Sequence, residues 1–478
     1  MSSTGTGAAE RQQIQRRVRS AVIIGSALEW FDFMLFASMS ALIFNKIFFT
    51  SLDPASATLA SLATFGVGFL ARPFGGIILG ALGDRIGRKK VLMITFVLMG
   101  VSSGLIGLVP SYQSIGILAP ILLVVLRLAQ GFGAGAETAS AIAVAFEFAD
   151  KDKQGRQASW PAIGSNLGLF LASIVVALLA TTSDEFLLGI GWRIPFVASF
   201  ALVGLGMIVR SRMPETPEFE QATANRVIVK EKSPLLSLIK GHWPALLVTM
   251  IVYFGYNGSG YLFKTFSLAY LTTFRDTDRS VGALAVAVAT GIAVLVVPIA
   301  GRLTDLWGTW KVLFAGGVFV GAFAFPFFWL LDSGNPVLIC IAIVAGTGIV
   351  APTMLAAQGS YFARLFPVEV RNSGMSTGRE VGGAIAGALA PVTAMALVQS
   401  SSTNSTWGVS GLFLLASLCI AGTVLIQVRK SQARYVGQID TKSTNARQQG
   451  NGPSAEASAN TAPSSTSNSR SEMHVSES

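Results

Sequence analysis

The chain of 478 residues carries 35 Lys and Arg against 25 Asp and Glu, so 13% of it is charged while 51% is hydrophobic. Soluble globular proteins use roughly 25% charged residues, so half that share, with a mean hydropathy of +0.59, excludes a set of water-soluble domains and points to a membrane. The net charge of +10 then reads as topology rather than nucleic-acid binding. Two cysteines and two histidines are too few for a disulfide framework or a zinc site of about four ligands, so no metal or cofactor is expected.

A helix needs about 20 mostly apolar residues to cross a bilayer. In chain order, such runs fall at 20–44, 57–79, 90–109, 118–146, 157–181, 189–209, 243–273, 280–300, 312–331, 336–360, 373–398 and 407–428. They predict an all-α polytopic membrane protein with twelve spans. The first run, long and interrupted by Glu29 and Asp32, does not fit a cleavable signal peptide. Residues 1–19 form an N-terminal tail and 20–209 a first six-helix half. A polar central loop follows at 210–242, with Pro214, Pro217 and Pro234, then a second half at 243–428. Residues 429–478, rich in Ser, Asn, Thr and Gln, are expected to be disordered and show no heptads.

Basic residues decide orientation. Of the 35, 27 fall in the tails and the connectors on one side, such as Arg85, Arg88, Lys89 and Lys90. Lys46, Arg193, Arg275 and Arg279 fall on the other, and four lie within helices. Both termini are therefore expected in the cytoplasm, with the chain in the plasma membrane, the inner membrane if bacterial.

A repeat links the halves. Gly80, Asp84 and Gly87 after the second run recur at Gly301, Asp305 and Gly308 after the eighth, each 221 residues on. Related halves are a transporter construction, with the substrate site between them. Glycines Gly80, Gly83 and Gly87 permit a tight reversal and close helix approach. Asp84 can cap a helix N-terminus or pair with Arg, and Arg85 and Arg88 suit an anionic leaflet. These residues and Asp305 form a candidate gating motif.

Gly80 to Lys90 resembles the cytoplasmic loop signature of the major facilitator superfamily, and Leu123, Arg127, Gln130, Gly131 and Gly133 match its fourth-helix pattern. Further segments are similar to its metabolite:proton symporter branch, which carries shikimate, 2-oxoglutarate, dicarboxylates, aromatic acids and proline or betaine. They are Glu29 to Phe33, Phe69 to Gly75, Gln130 to Glu137, Gly191 to Phe196, Glu215 to Phe219, and Leu365 to Gly374. The resemblance covers about 20–430 and implies twelve helices in two six-helix halves. Three departures stand out: Arg364 where the branch has Glu, Leu306 and Thr309 in the second loop copy, and Arg379-Glu380 where Tyr-Gln or Tyr-Asn is common.

Ionisable groups inside a bilayer cost several kcal/mol and are functional or paired. A rise of about 1.5 Å per residue brings Asp32 and Arg127 to similar depth and Glu29, Arg72 and Glu137 to the inner half. This suggests an Asp32–Arg127 pair, with Glu29 and Glu137 sharing Arg72. Protonation of one carboxylate would release its Arg to a substrate anion; the bland alternative is a set of fixed structural ion pairs. Arg379 and Glu380 either bind substrate or snorkel, and Lys264 either lines the path or snorkels. Tyr256 and Asn257 sit in a Gly- and amide-rich stretch that suggests an interrupted gating helix. Gln358 suits either a lining group or helix-to-helix glue.

Within helices, Arg72, Arg127, Lys264 and Arg379 balance Glu29, Asp32, Glu137 and Glu380. An organic acid would then enter together with a proton, while a zwitterion such as proline or betaine also fits. The expectation is a monomeric secondary transporter importing a small organic anion with protons by alternating access. An exporter of drugs or metabolites is the runner-up, and a transporter-like nutrient sensor the reading from another class. An enzyme is not expected, since no catalytic metal set, aspartate pair or Gly-x-Ser-x-Gly elbow is present.

Overall fold

A computed structural model describes residues 3–224, 234–402 and 405–429. The expected disordered tail lies outside the described residues almost entirely, as does 225–233 of the central loop. Among the described residues, twelve long helical elements follow the predicted runs to within a few residues, except at the N-terminus and at the ends of the second, eighth and tenth, which run five to seven residues further. They are α1 (Ser3–Leu42), α2 (Pro54–Ile86), α3 (Arg88–Leu108), α4 (Leu118–Glu147), α5 (Trp160–Ala180) and α6 (Arg193–Ser211). The second set is α7 (Trp243–Phe274), α8 (Arg279–Trp307), α9 (Thr309–Ala322 with Ala324–Leu331), α10 (Pro336–Leu365), α11 (Arg371–Gln399) and α12 (Trp407–Arg429). Eleven are long and apolar enough to span a membrane, and α9 makes a twelfth across a 51° bend. The helix at the N-terminus starts at Ser3, running through the stretch read as a tail. Short helices Pro217–Ala224 and Pro234–Gly241 occupy the central loop.

The helix pairings repeat with an offset of six. α1 packs on α5 as α7 does on α11, α2 on α4 as α8 on α10, and α3 on α6 as α9 on α12. Lipid supplies no hydrophobic drive between helices, so contact depends on small residues that let backbones approach. A side chain at Gly75 would run into the Phe132 carbonyl, and one at Gly135 into the backbone of Arg72 and Gly76, which fixes α2 against α4. The outer surface stays apolar, with Leu70, Phe74, Leu295 and Ile299 exposed for lipid to cover.

The repeated loop is equivalent in conformation as well as sequence. Gly87 has φ +106° and Gly308 φ +92°, each immediately preceding a helix. Side chains are strained at such angles, which explains why both copies keep Gly.

Candidate functional site

The two halves meet through α2 against α11 and α8 against α5, again related by the repeat. At the loop-bearing face, Asp84 in the last turn of α2 accepts hydrogen bonds from the N–H groups of Asn372 (3.1 Å) and Ser373 (2.8 Å) and from the Ser373 hydroxyl (2.6 Å). It thereby satisfies donors that the first turn of α11 leaves open and places a carboxylate at the positive end of that helix. Arg88 lies 3.3 Å from the same carboxylate, so capping and Arg pairing, the two sequence alternatives, coexist. Asp305 does the same for the other pair: it accepts from the N–H groups of Gly155 (2.5 Å) and Arg156 (2.9 Å), just before α5.

Further links surround these caps. Arg371 donates to Glu147 and to Glu218, Arg88 to the Val368 carbonyl, and Asn372 to the Gly80 carbonyl. Glu215 accepts from the N–H groups of Arg88 and Lys89. Gly80 and Gly83 leave space for Ser376 and Asn372, respectively. Arg85 is exposed.

Deeper, Arg72 donates to both oxygens of Glu380 at 2.8 and 3.2 Å, across the halves. Glu29 of α1 stands 3.7 Å from the same guanidinium, and Thr138 donates to it at 3.4 Å. All three charged groups are under 9% exposed. Beside Glu380, Arg379 lies 4.5 Å over the Tyr253 ring and donates to its hydroxyl at 3.3 Å, with Nε and Nη1 unpartnered. Tyr253 and Tyr256 of α7 have ring centres 5.7 Å apart. Asn257, one turn along, donates to the Gly383 carbonyl. Gln358 is fully buried with neither amide atom bonded, one turn from Phe362, which touches the Tyr253 ring.

The proposed pairs are rearranged. Asp32 accepts from Ser199 of α6 (2.8 Å) and forms no ion pair with Arg127. Arg127 lies over the rings of Phe33, Phe36 and Phe65 and bonds Gln130, which donates to Ser103 at 2.6 Å. Arg127 keeps Nε and Nη2 free. Glu137 does not share Arg72; it is paired with Arg210, which also bonds the Leu92 carbonyl. Arg210, read as a loop charge, is only 2% exposed in the last turn of α6. Nor is α7 interrupted at 253–261. It is α-helical through Tyr261 and changes to a π segment at Leu262–Phe266, which holds Lys264, half-buried.

Glu137 thus reads as a structural anchor of α3, α4 and α6, joined as well by Thr95. Removing one member of a buried pair leaves the other charge uncompensated, at about 3–5 kcal/mol. Glu137→Gln is expected to lower the thermal midpoint of the purified protein sharply, whereas Asp32→Asn, which keeps a hydrogen-bonding partner for Ser199, should change it little.

The profile of the Major Facilitator Superfamily matches residues 22–377 and 277–457. The chain belongs to the Major Facilitator Superfamily. It is 34% identical over 418 residues to the shikimate transporter of Escherichia coli K12, covering 87% of this chain and 95% of that protein. Similarity to the Escherichia coli K12 proline/betaine transporter is 34% over 402 residues, covering 81% and 78%. In three dimensions it superposes on the proton:xylose symporter XylE with a TM-score of 0.69 at 15% identity, over 88% and 96% of the two chains. As a superfamily member with this fold the chain is a multi-pass membrane transporter of small metabolites and not an enzyme.

The residues that sequence reasoning passed over were mostly partners: Arg210, Asn372, Ser373 and Glu218. Asn372 and Ser373 lie within the Leu365–Gly374 segment, and Glu218 within Glu215–Phe219, so the signal was present without a role attached.

Proposed function

We propose that the chain imports a small organic acid together with protons, by rocking of its halves about the Arg72–Glu380 contact. The observation that carries this reading is the interface cluster of Glu29, Arg72, Glu380 and Arg379. With both carboxylates ionised the four groups are neutral, and a guanidinium with two free nitrogens waits beside them. An entering monoanion would leave one excess negative charge, which is costly where water is excluded. Protonation of Glu29 restores neutrality without breaking the Arg72–Glu380 pair. Proton and anion therefore enter favourably together, and the reverse holds on release.

The loop-bearing face, where Asp84 and Asp305 cap elements of the opposite half, is closed. Its basic residues assign that face to the cytoplasm, as expected for an inner-membrane carrier. The chain works as a monomer, since each half supplies part of the cluster. Resemblance to carriers named for shikimate supports a carboxylate substrate. The tyrosine pair beside Arg379, with the proline/betaine relatives, supports a zwitterion as the second reading.

Proteoliposome uptake under an imposed pH gradient, screened over organic acids, amino acids and betaines, separates the two. For the organic acid, Arg379→Gln is expected to raise KM by about 30-fold or more, the cost of leaving a buried charge partner unpaired, with Arg379→Lys recovering part. Uptake of carboxylates that is unaffected by Arg379→Gln would remove Arg379 from the binding site.

A further inference from the structure

The geometry points to a second, separate site: a cleft for the phosphate of an anionic phospholipid headgroup, between residues 12–19 of α1 and the segment 153–160 that leads into α5. The cleft has a volume of about 290 Å³. One wall is a single stripe of α1, with Gln12, Gln15, Arg16 and Arg19 spaced i, i+3, i+4 and i+7. The facing wall supplies Lys153, Arg156 and Gln157, and Trp160 closes the base.

Four cations line this space and no carboxylate does. Lys153 is held on its rim by Asp150 at 3.2 Å. Arg16, Arg19 and Arg156 have no carboxylate partner among the described residues. Like charges gathered in one cleft repel unless an anion joins them, and guanidinium forks match phosphate oxygens. Gln157 is 4% exposed and its Oε1 has no partner, leaving an acceptor for a headgroup hydroxyl.

Two features favour a lipid over free phosphate. Trp160 belongs to an apolar cluster with Val18, Ala21 and Val22, so the base of the cleft offers apolar surface that inorganic phosphate cannot use. The cleft also lies where the first apolar run begins, at about residue 20, the level at which a headgroup sits. Its walls are fixed: Gly164 and Gly168 bring α5 against the α1 backbone, and a Cβ at Gly168 would come within 2.9 Å of the Phe31 nitrogen. The site is independent of the substrate and of proton coupling.

The test uses the full chain in neutral detergent, titrated with dioleoylphosphatidylglycerol, dioleoylphosphatidylcholine or inorganic phosphate. Bound lipid is read by native mass spectrometry and stabilisation by melting temperature. The wild type is expected to retain phosphatidylglycerol about tenfold or more tightly than phosphatidylcholine. The combined variant Arg16→Gln, Arg19→Gln, Arg156→Gln should lose that preference. Arg11→Gln with Arg17→Gln, exposed on the same helix but outside the cleft, should keep it. Equal retention of both lipids, an unchanged preference in the triple variant, or equal loss in the control would overturn the site. Stabilisation by inorganic phosphate alone, with the same arginine dependence, would overturn the lipid as its occupant.

Discussion

Glu29→Gln is expected to abolish pH-driven accumulation of substrate while leaving exchange of substrate across the membrane near the wild-type rate. Glu29 lines two small cavities of about 10 Å³, one shared with Arg72, Arg127 and Gln130 and the other with Asp32 and Ser199. Each has room for about one water, so the carboxyl group sits at a junction where a proton can arrive. Gln occupies the same space and is permanently neutral, as the protonated acid is. The cluster then accepts an anion at any pH, and binding no longer draws a proton. The accumulation ratio under an inward proton gradient should fall to the passive value. Asp32→Asn should leave coupling partly intact, because its carboxylate is bonded to Ser199 and is not paired with Arg72. If Glu29→Gln still accumulates substrate with wild-type pH dependence, the proton is carried elsewhere.

The second large effect is expected at the loop-bearing face. Asp84 accepts three hydrogen bonds at the start of α11 with no exposed surface. Asn would retain one acceptor oxygen and turn an NH₂ toward N–H donors. Charge-assisted hydrogen bonds of this kind are worth about 1.5–3 kcal/mol, so Asp84→Asn is expected to shift the closed-to-open equilibrium by roughly 10- to 150-fold. A cysteine placed at Ser140, whose hydroxyl bonds Asn372 across the closed face, reports this by alkylation from the loop-bearing side. Labelling should rise in Asp84→Asn and less so in Asp305→Asn, whose carboxylate is only half-buried and makes two bonds instead of three. Equal labelling of wild type and Asp84→Asn would mean that the cap does not hold the face shut.

Much of the fold was legible because its causes are local. Each apolar run, and the interval of 221 residues between the loop copies, follows from composition and spacing alone. The positive φ at Gly87 and Gly308 is what a tight turn between two helices requires, and the sequence carries Gly at both. Side-chain partners were less legible. Rise per residue gives depth along a helix but not which way a side chain faces, so Asp32 and Arg127 matched in depth yet face different neighbours. Arg72 and Glu380 are 308 residues apart, and only the packing of α2 on α11 joins them. Arg210 lay at the end of an apolar run, where a Lys or Arg ordinarily reaches water. Here α6 leans on α3 and α1, and Glu137 of α4 draws the guanidinium inward. Gly255 of α7 has a packing cause, since it admits the Ala416 carbonyl of α12, and the helix stays whole where composition suggested a break.

The central claim is that one proton enters with the anion because the cluster at Arg72 must stay neutral. It is tested most directly by recording external pH in lightly buffered medium when substrate is added to wild-type proteoliposomes without a pre-set gradient. The account predicts alkalinisation of the medium in proportion to substrate taken up, absent in Glu29→Gln although exchange persists. Substrate entry with no pH change in the wild type would contradict it.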